Sequence, residues 1–226
     1  MPARDRPELT VDQVAAIARE RFALEGSPRP LPSTDDLVLR IGDAVLKVVA
    51  PPGGDLEALE RECELMSALH ARRERSAGAR PDPDLPPVPE VRRSLAGSFV
   101  EAVVDDAGRR CGVRAIAWLE GDRLSSRPQG PLVLERLGAA LAAVDDALST
   151  HPPAAVAHAP WDLLRATEAI NAKLGAVRDP GRCRLVERLT ERFVLAYEPL
   201  CDRLRRGWIH GDANDDNVLV TADPEG

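Results

Sequence analysis

The sequence predicts an α+β fold, with an antiparallel sheet of about five strands in its first half and mainly helices in its second. Three observations carry this. Apolar runs flank Gly42-Asp43, and others flank Asp105-Asp106-Ala107-Gly108, which is the pattern of two β-hairpins. From Pro131 onward apolar residues recur at helical spacing. Glu120-Gly121 interrupts the pattern between the two regimes, so an amino-terminal lobe is expected over 1–119 and a helical one over 120–226.

Thr10 opens the first helix. Thr10 and Gln13 have capping-box spacing, Val11, Val14, Ala15, Ala18 and Phe22 form one face, and Gly26 with Pro28 ends it. Leu37 to Ile41 and Ala44 to Val49 then form the first hairpin. Lys47 interrupts an otherwise apolar strand, which is costly unless an anion meets its ammonium or the strand is an edge with Lys47 facing water. Pro51-Pro52-Gly53-Gly54 is a turn, and Asp55 caps a helix running to about Arg73. Leu56, Leu59, Cys63 and Met66 mark its buried stripe, and Glu62 borders that stripe where Glu57, Glu60 and Glu64 do not. Residues 76–89 read as a proline-rich loop, and Phe99 to Val104 with Cys111 to Leu119 form the second hairpin.

Behind the boundary, Leu134, Leu137, Leu141, Val144 and Leu148 mark one helix with Pro131 in its first turn. A second starts at about Trp161. A third spans roughly Pro180 to Arg205, with Leu185, Leu189 and Phe193 inward and a kink at Pro199.

Composition narrows the functional classes. Of 226 residues, 44% are hydrophobic and 30% charged, an ordinary globular balance, and the net charge of -7 argues against nucleic acid as a partner. Cys63, Cys111, Cys183 and Cys201 are scattered without metal-ligand or disulfide spacing, which suits a reducing cytoplasm. His70, His151 and His158 have no metal-ligand spacing either. No apolar run approaches a membrane span and no signal peptide is visible. The oligomeric state is open.

The chemistry concentrates in Trp208-Ile209-His210-Gly211-Asp212-Ala213-Asn214-Asp215-Asp216-Asn217-Val218-Leu219-Val220, read as strand, polar loop and strand. His-x-Asp-x-x-x-x-Asn is the spacing of a kinase catalytic loop. Phosphoryl transfer needs a carboxylate beside the attacking hydroxyl, which Asp212 supplies, and a hard oxygen ligand for Mg²⁺, which the Asn217 carbonyl supplies. His210 braces the loop by hydrogen bonds, and Val218-Leu219-Val220 anchors it in the core.

The segment from His210 to Val220 resembles the catalytic loop of the aminoglycoside phosphotransferase and choline kinase superfamily, and its Ala-Asn-Asp insert looks most like the hydroxylysine kinase branch. Trp161-Asp162-Leu163 is similar to the same family. The resemblance implies a two-lobed protein-kinase-like fold and ATP-dependent phosphorylation of a small-molecule hydroxyl, with ATP and Mg²⁺ as cofactors. It implies that Lys47, held by Glu62, reaches the α- and β-phosphates. The backbone at Ala117, Trp118 and Leu119 would hold the adenine edge, although Trp118 is equally suited to plain core. His210 and Asp215 would support the loop. The stretch Pro32-Ser33-Thr34-Asp35-Asp36 would lie over the nucleotide, but without the glycines of a phosphate clamp.

The sequence departs from the family at its end. Asp223-Pro224-Glu225-Gly226 reads as a hairpin turn without its returning strand, and no Asp-Phe-Gly-like element supplies a second metal carboxylate. Asn217 alone is a poor Mg²⁺ cage, so these residues alone are expected to have little or no kinase activity. Two other readings stand beside the kinase: a nucleotide- or partner-binding module without catalysis, and a metal-assisted hydrolase using Asp212, Asp215 and Asp216.

Overall fold

The computed structural model describes residues 6–51, 54–75, 85–152 and 165–221. Residues 76–84 of the proline-rich loop, part of the turn at Pro52-Gly53, His158, Trp161-Asp162-Leu163 and the turn at Asp223 lie outside the described residues. Packing groups the chain into two compact units, 4–150 with 212–226, and 151–211 with 1–3.

The larger unit is built on a six-stranded antiparallel sheet. Its strands are β1 (Arg29–Pro30), β2 (Leu37–Ile41), β3 (Ala44–Val49), β4 (Val91–Arg92), β5 (Glu101–Val104) and β6 (Arg110–Ala117). The order is β1-β2-β3-β6-β4, and β5 also pairs with β6. Gly42, at φ 58°, opens the two-residue turn between β2 and β3, which requires a positive φ at its first position.

Side chains alternate across a sheet, so each face takes every second residue. On one face Leu37, Leu39, Ile41, Ala44, Leu46, Val48, Cys111, Val113 and Ala115 pack with Val14, Ala18 and Phe22 of helix α1 (Val11–Phe22). The expected capping box closes that helix: the Thr10 hydroxyl accepts from the Gln13 N–H at 3.2 Å, and the Gln13 side chain accepts from the Thr10 N–H at 2.6 Å. On the other face Val49 and Val91 pack under Leu56, Leu59 and Cys63, the first turns of helix α2 (Glu57–Arg75) and the residue leading into it. The Asp55 carboxylate accepts from the Glu57 N–H at 2.9 Å, the cap read from the sequence.

Helix α2 sits close because Gly112 of β6 has no side chain. A Cβ there would stand 2.6 Å from Leu59 Cδ2 and 2.9 Å from Leu56 Cδ2. Helix α3 (Pro131–Leu148) belongs to the same unit. It buries Val144, Ala147 and Leu148, and Asp146 lies 3.8 Å from Arg72 of α2. Its expected stripe holds only at that end, since Leu134 is half exposed at 51%.

The smaller unit holds α4 (Ala166–Leu174) and α5 (Pro180–Tyr197). Here two expectations fail. Leu185 and Leu189 were expected inward but are exposed, and neither helix buries a single described residue, because α4 is nine residues long and covers little of α5. Pro199 does not kink a continuing helix. α5 ends at Tyr197 and the chain tightens into a 3-10 turn, Glu198–Arg203, since proline has no N–H to continue the α ladder.

Asp105 fastens the amino terminus to the second hairpin. Its carboxylate accepts from the Glu8, Ala107 and Arg109 N–H groups at 2.8–3.1 Å and from Arg109 Nε at 2.9 Å. Burial pushes the Asp105 carboxyl up, but these bonds and the Arg109 charge outweigh it and hold it at about 2. Its folded value lies below the ordinary one of 3.8, so its stabilisation is complete above the ordinary value and fades as pH falls through about 2. Asp105→Asn should lower stability at neutral pH by about 1–3 kcal/mol and flatten the acid limb of a denaturation series. An unchanged acid limb would contradict this. Gly112→Val should cost about 1–3 kcal/mol by overpacking, read by urea denaturation, and a neutral result would mean α2 does not press on β6.

Candidate active site

The loop over 212–217 is organised by two asparagines. Asn217 Nδ2 donates to Asp212 Oδ2 at 2.7 Å and to the Asp212 carbonyl at 3.0 Å. Asn214 Nδ2 donates to Asp212 Oδ1 at 2.8 Å. The Asn214 Oδ1 in turn accepts from the Asp216 and Asn217 N–H groups at 3.0 and 3.2 Å, and its carbonyl closes the turn to Asn217 at 3.0 Å. One amide donor on each carboxylate oxygen fixes the plane of Asp212. With its nitrogen tied to Asp212, the Asn217 side chain presents its carbonyl oxygen elsewhere. Asp212 and Asn217, six residues from end to end, are therefore one hydrogen-bonded couple, and both are exposed.

The loop rests on the segment just past Glu120. Strand β7 (Asp122–Arg123) pairs with β8 (Leu219–Val220), and the Leu124 N–H donates to the Val218 carbonyl at 2.9 Å. The Ser125 N–H donates to the Asp215 carbonyl at 2.9 Å, and the Ser125 hydroxyl donates to Asp216 Oδ1 at 2.8 Å. Gly121, at φ 150°, lets this segment approach: a Cβ there would lie 3.2 Å from that of Leu219. Asp215 takes part in this docking through its carbonyl. His210 is exposed.

The expected anchoring of this loop is corrected. Trp208-Ile209 forms no strand, Leu219 is 42% exposed, and Val218 and Val220 are only partly buried. A two-residue ladder to β7, rather than a buried core strand, holds the loop.

Lys47 lies on β3, between β2 and β6, so it is not on an edge strand. It faces the α2 side of the sheet, and its Nζ lies 3.0 Å from Asp36 Oδ2. The expected Lys47–Glu62 pair is not formed. Glu62 instead accepts from Arg114 Nη2 at 2.9 Å. The cause is strand register: Arg114 stands directly opposite Lys47 and shares its face. Arg114 is nearly buried, and a buried guanidinium left without a carboxylate would be far costlier than the partly exposed ammonium of Lys47. Burial works against the Arg114 charge, and Glu62 more than restores it. Asp36 answers for Lys47. Two like charges side by side on adjacent strands are thereby each matched by a carboxylate.

Ala117 ends β6, and Trp118 and Leu119 follow it. The Ala117 N–H donates to the Glu90 carbonyl and the Trp118 N–H to the Asp43 carbonyl, both at 2.8 Å. The Arg40 guanidinium lies 4.0 Å from the Trp118 ring centroid, and the Trp118 Nε1 is buried without a partner. Burial raises the thiols of Cys63 and Cys111, the latter to about 11, so neither is a nucleophile at neutral pH.

Sequence reading missed Arg114 and Asn214. Arg114 carried the same signal as Lys47, a cation inside an apolar strand. Asn214 carried the signal of a side chain that caps its own turn.

A family model described as phosphotransferase enzyme family matches residues 27–226. The hydroxylysine kinase of Danio rerio is 25% identical over 232 residues, covering 96% of this chain and 62% of its own length. The chain thus spans about three-fifths of that relative. Among solved structures, amicoumacin kinase in complex with AMP-PNP, Ca2+ and Ami aligns with a TM-score of 0.51 at 15% identity, over 88% of this chain and 55% of that one. The AMP-bound complex of spectinomycin phosphotransferase aligns at 0.48 and 10% identity, over 95% of this chain and 67% of that one. The fold is the α+β fold of amicoumacin kinase, and the match over 27–226 makes the chain a member of the phosphotransferase enzyme family.

Proposed function

We propose that this chain carries the nucleotide-binding and base-bearing part of an ATP-dependent kinase that phosphorylates a hydroxyl of a small molecule. The observation that carries the reading is the Asp212–Asn217 couple, in which an amide holds a carboxylate in one plane at the exposed end of a docked loop. Asp212 accepts the proton of the acceptor hydroxyl as the oxygen attacks the terminal phosphorus of ATP, and the bond to the ADP oxygen breaks. Lys47 meets the α- and β-phosphates. The Leu119 N–H reads the adenine edge, because those of Ala117 and Trp118 are already engaged by the Glu90 and Asp43 carbonyls.

The donor chemistry at the loop fits Mg²⁺ in part. The Asn217 carbonyl is a hard neutral ligand, and the Asp212 carboxylate lies beside it. The metal, when bound, supplies positive charge against the oxygens of the transferred phosphoryl group. Among the described residues no group of three His, Cys, Asp or Glu side chains is placed to hold a metal. One carboxylate beside one amide carbonyl is a sparse cage for a hard cation, so a second reading, a nucleotide-binding module without catalysis, stands beside the first, and we expect weak turnover from these 226 residues alone. No helix of the described residues is long and apolar enough to cross a membrane, and we propose a cytoplasmic enzyme with an amino-terminal lobe over 1–119 and a helical lobe over 120–226.

As acceptors we propose amino alcohols and hydroxy amino acids, hydroxylysine first because of the Danio rerio relative, with homoserine, choline and aminoglycosides beside it. The test uses a chain lengthened to match that relative, assayed for ADP release across these acceptors. Asp212→Asn should lower turnover by about 10²–10⁴-fold while ATP affinity stays within twofold. Turnover that survives the substitution would remove Asp212 from the chemistry. ATP binding without turnover on any acceptor would favour the binding module.

A further inference from the structure

Asp36 is the unexplained member of the charged cluster on the α2 face. It immediately precedes β2, in the stretch that the family resemblance lays over the nucleotide. Its N–H donates to the Ser33 hydroxyl at 3.2 Å, which fixes the backbone behind it. One carboxylate oxygen meets Lys47 Nζ at 3.0 Å, with the two side chains 15% and 29% exposed. Its other oxygen, Oδ1, is buried without a hydrogen-bond partner. Burying a carboxylate with half its acceptors unmet is unfavourable. The contact is therefore held by the ammonium alone.

Glu62, the carboxylate expected for Lys47, is engaged elsewhere. Arg114 stands across the strand pair from it and engages Glu62. An incoming phosphate must then meet an ammonium that already has an anion, and that anion repels the phosphate.

We propose that Asp36 is a resident carboxylate that competes with the nucleotide phosphates for Lys47, so that the stretch 33–36 sets nucleotide affinity from within the fold. The inference rests on the reading of Lys47 as the phosphate-binding residue. Nucleotide binding exchanges one oxyanion for another on the same ammonium and releases Asp36, with its unmet oxygen, to water. Binding should weaken little with added salt in the wild type, because an ion pair is broken as one is made, and more steeply once Asp36 is neutral.

The experiment is calorimetric titration of the 226-residue chain and its variants with Mg-ATP and, separately, with adenosine. Asp36→Asn keeps the shape and removes the charge; it should tighten Mg-ATP by about five- to thirtyfold, the effect of one or two kcal/mol, and leave adenosine unchanged. Asp36→Ser, which also removes the charge, should do the same, so a folding defect in one variant does not hide the result. In a Lys47→Gln background the gain should vanish. Mg-ATP that binds the wild type through Lys47 but gains nothing from either Asp36 variant would overturn the inference and leave the nucleotide reading intact. Absence of Mg-ATP binding in every variant would overturn both, and equal tightening of adenosine would overturn the competition for Lys47.

Discussion

Two cations stand side by side on one face of a sheet, and that face is covered by a helix. Lys47 and Arg114 are direct cross-strand partners on β3 and β6. Such a pair repels, and Arg114 is removed from water as well. The fold answers with two carboxylates from two different elements, Glu62 from α2 and Asp36 from the approach to β2. The pairing ties α2 to the strand that ends at Ala117, where the chain leaves the sheet. Gly112, two residues before Arg114 on that strand, lets α2 come close enough for the Glu62 carboxylate to reach. Packing and charge thus fix the same helix at neighbouring positions.

The acidic loop follows a different rule. Its side chains are exposed, so burial does not order them, and local hydrogen bonds do. Asn214 closes the turn with its own carbonyl and side chain, and Asn217 joins the carboxylate of Asp212 to the carbonyl of the same residue. The loop is then laid on residues 122–125 by backbone bonds, which hold whatever the side chains do. The cation pair and the acid–amide couple lie in the same compact unit although they come from distant parts of the sequence.

What could be read from the sequence was what local chemistry determines. The Thr10–Gln13 cap, the Gly42-Asp43 turn, the Asp55 cap and the buried stripe of α2 depend on residues a few positions apart, and each is found in place. The Asp212–Asn217 spacing belongs to the same class. The partner of Glu62 was not legible, because it depends on which residue of β6 stands opposite Lys47, and that register is set by pairing between distant segments. Arg114 is the third charge that redirects both Lys47 and Glu62. The inward face assigned to α5 failed for a related reason. Periodicity shows that a helix has an apolar side, but not that a described element covers it, and Leu185 and Leu189 remain exposed.

The claim at the centre is that one nucleotide engages both the Lys47 cluster and the Asp212 loop. Amide hydrogen exchange of the 226-residue chain, with and without saturating Mg-AMP-PNP, tests it most directly. The account predicts slowed exchange confined to three stretches: 33–47, 117–119 and 212–217. Protection that leaves either 33–47 or 212–217 unchanged, or that falls elsewhere on the chain, would contradict it.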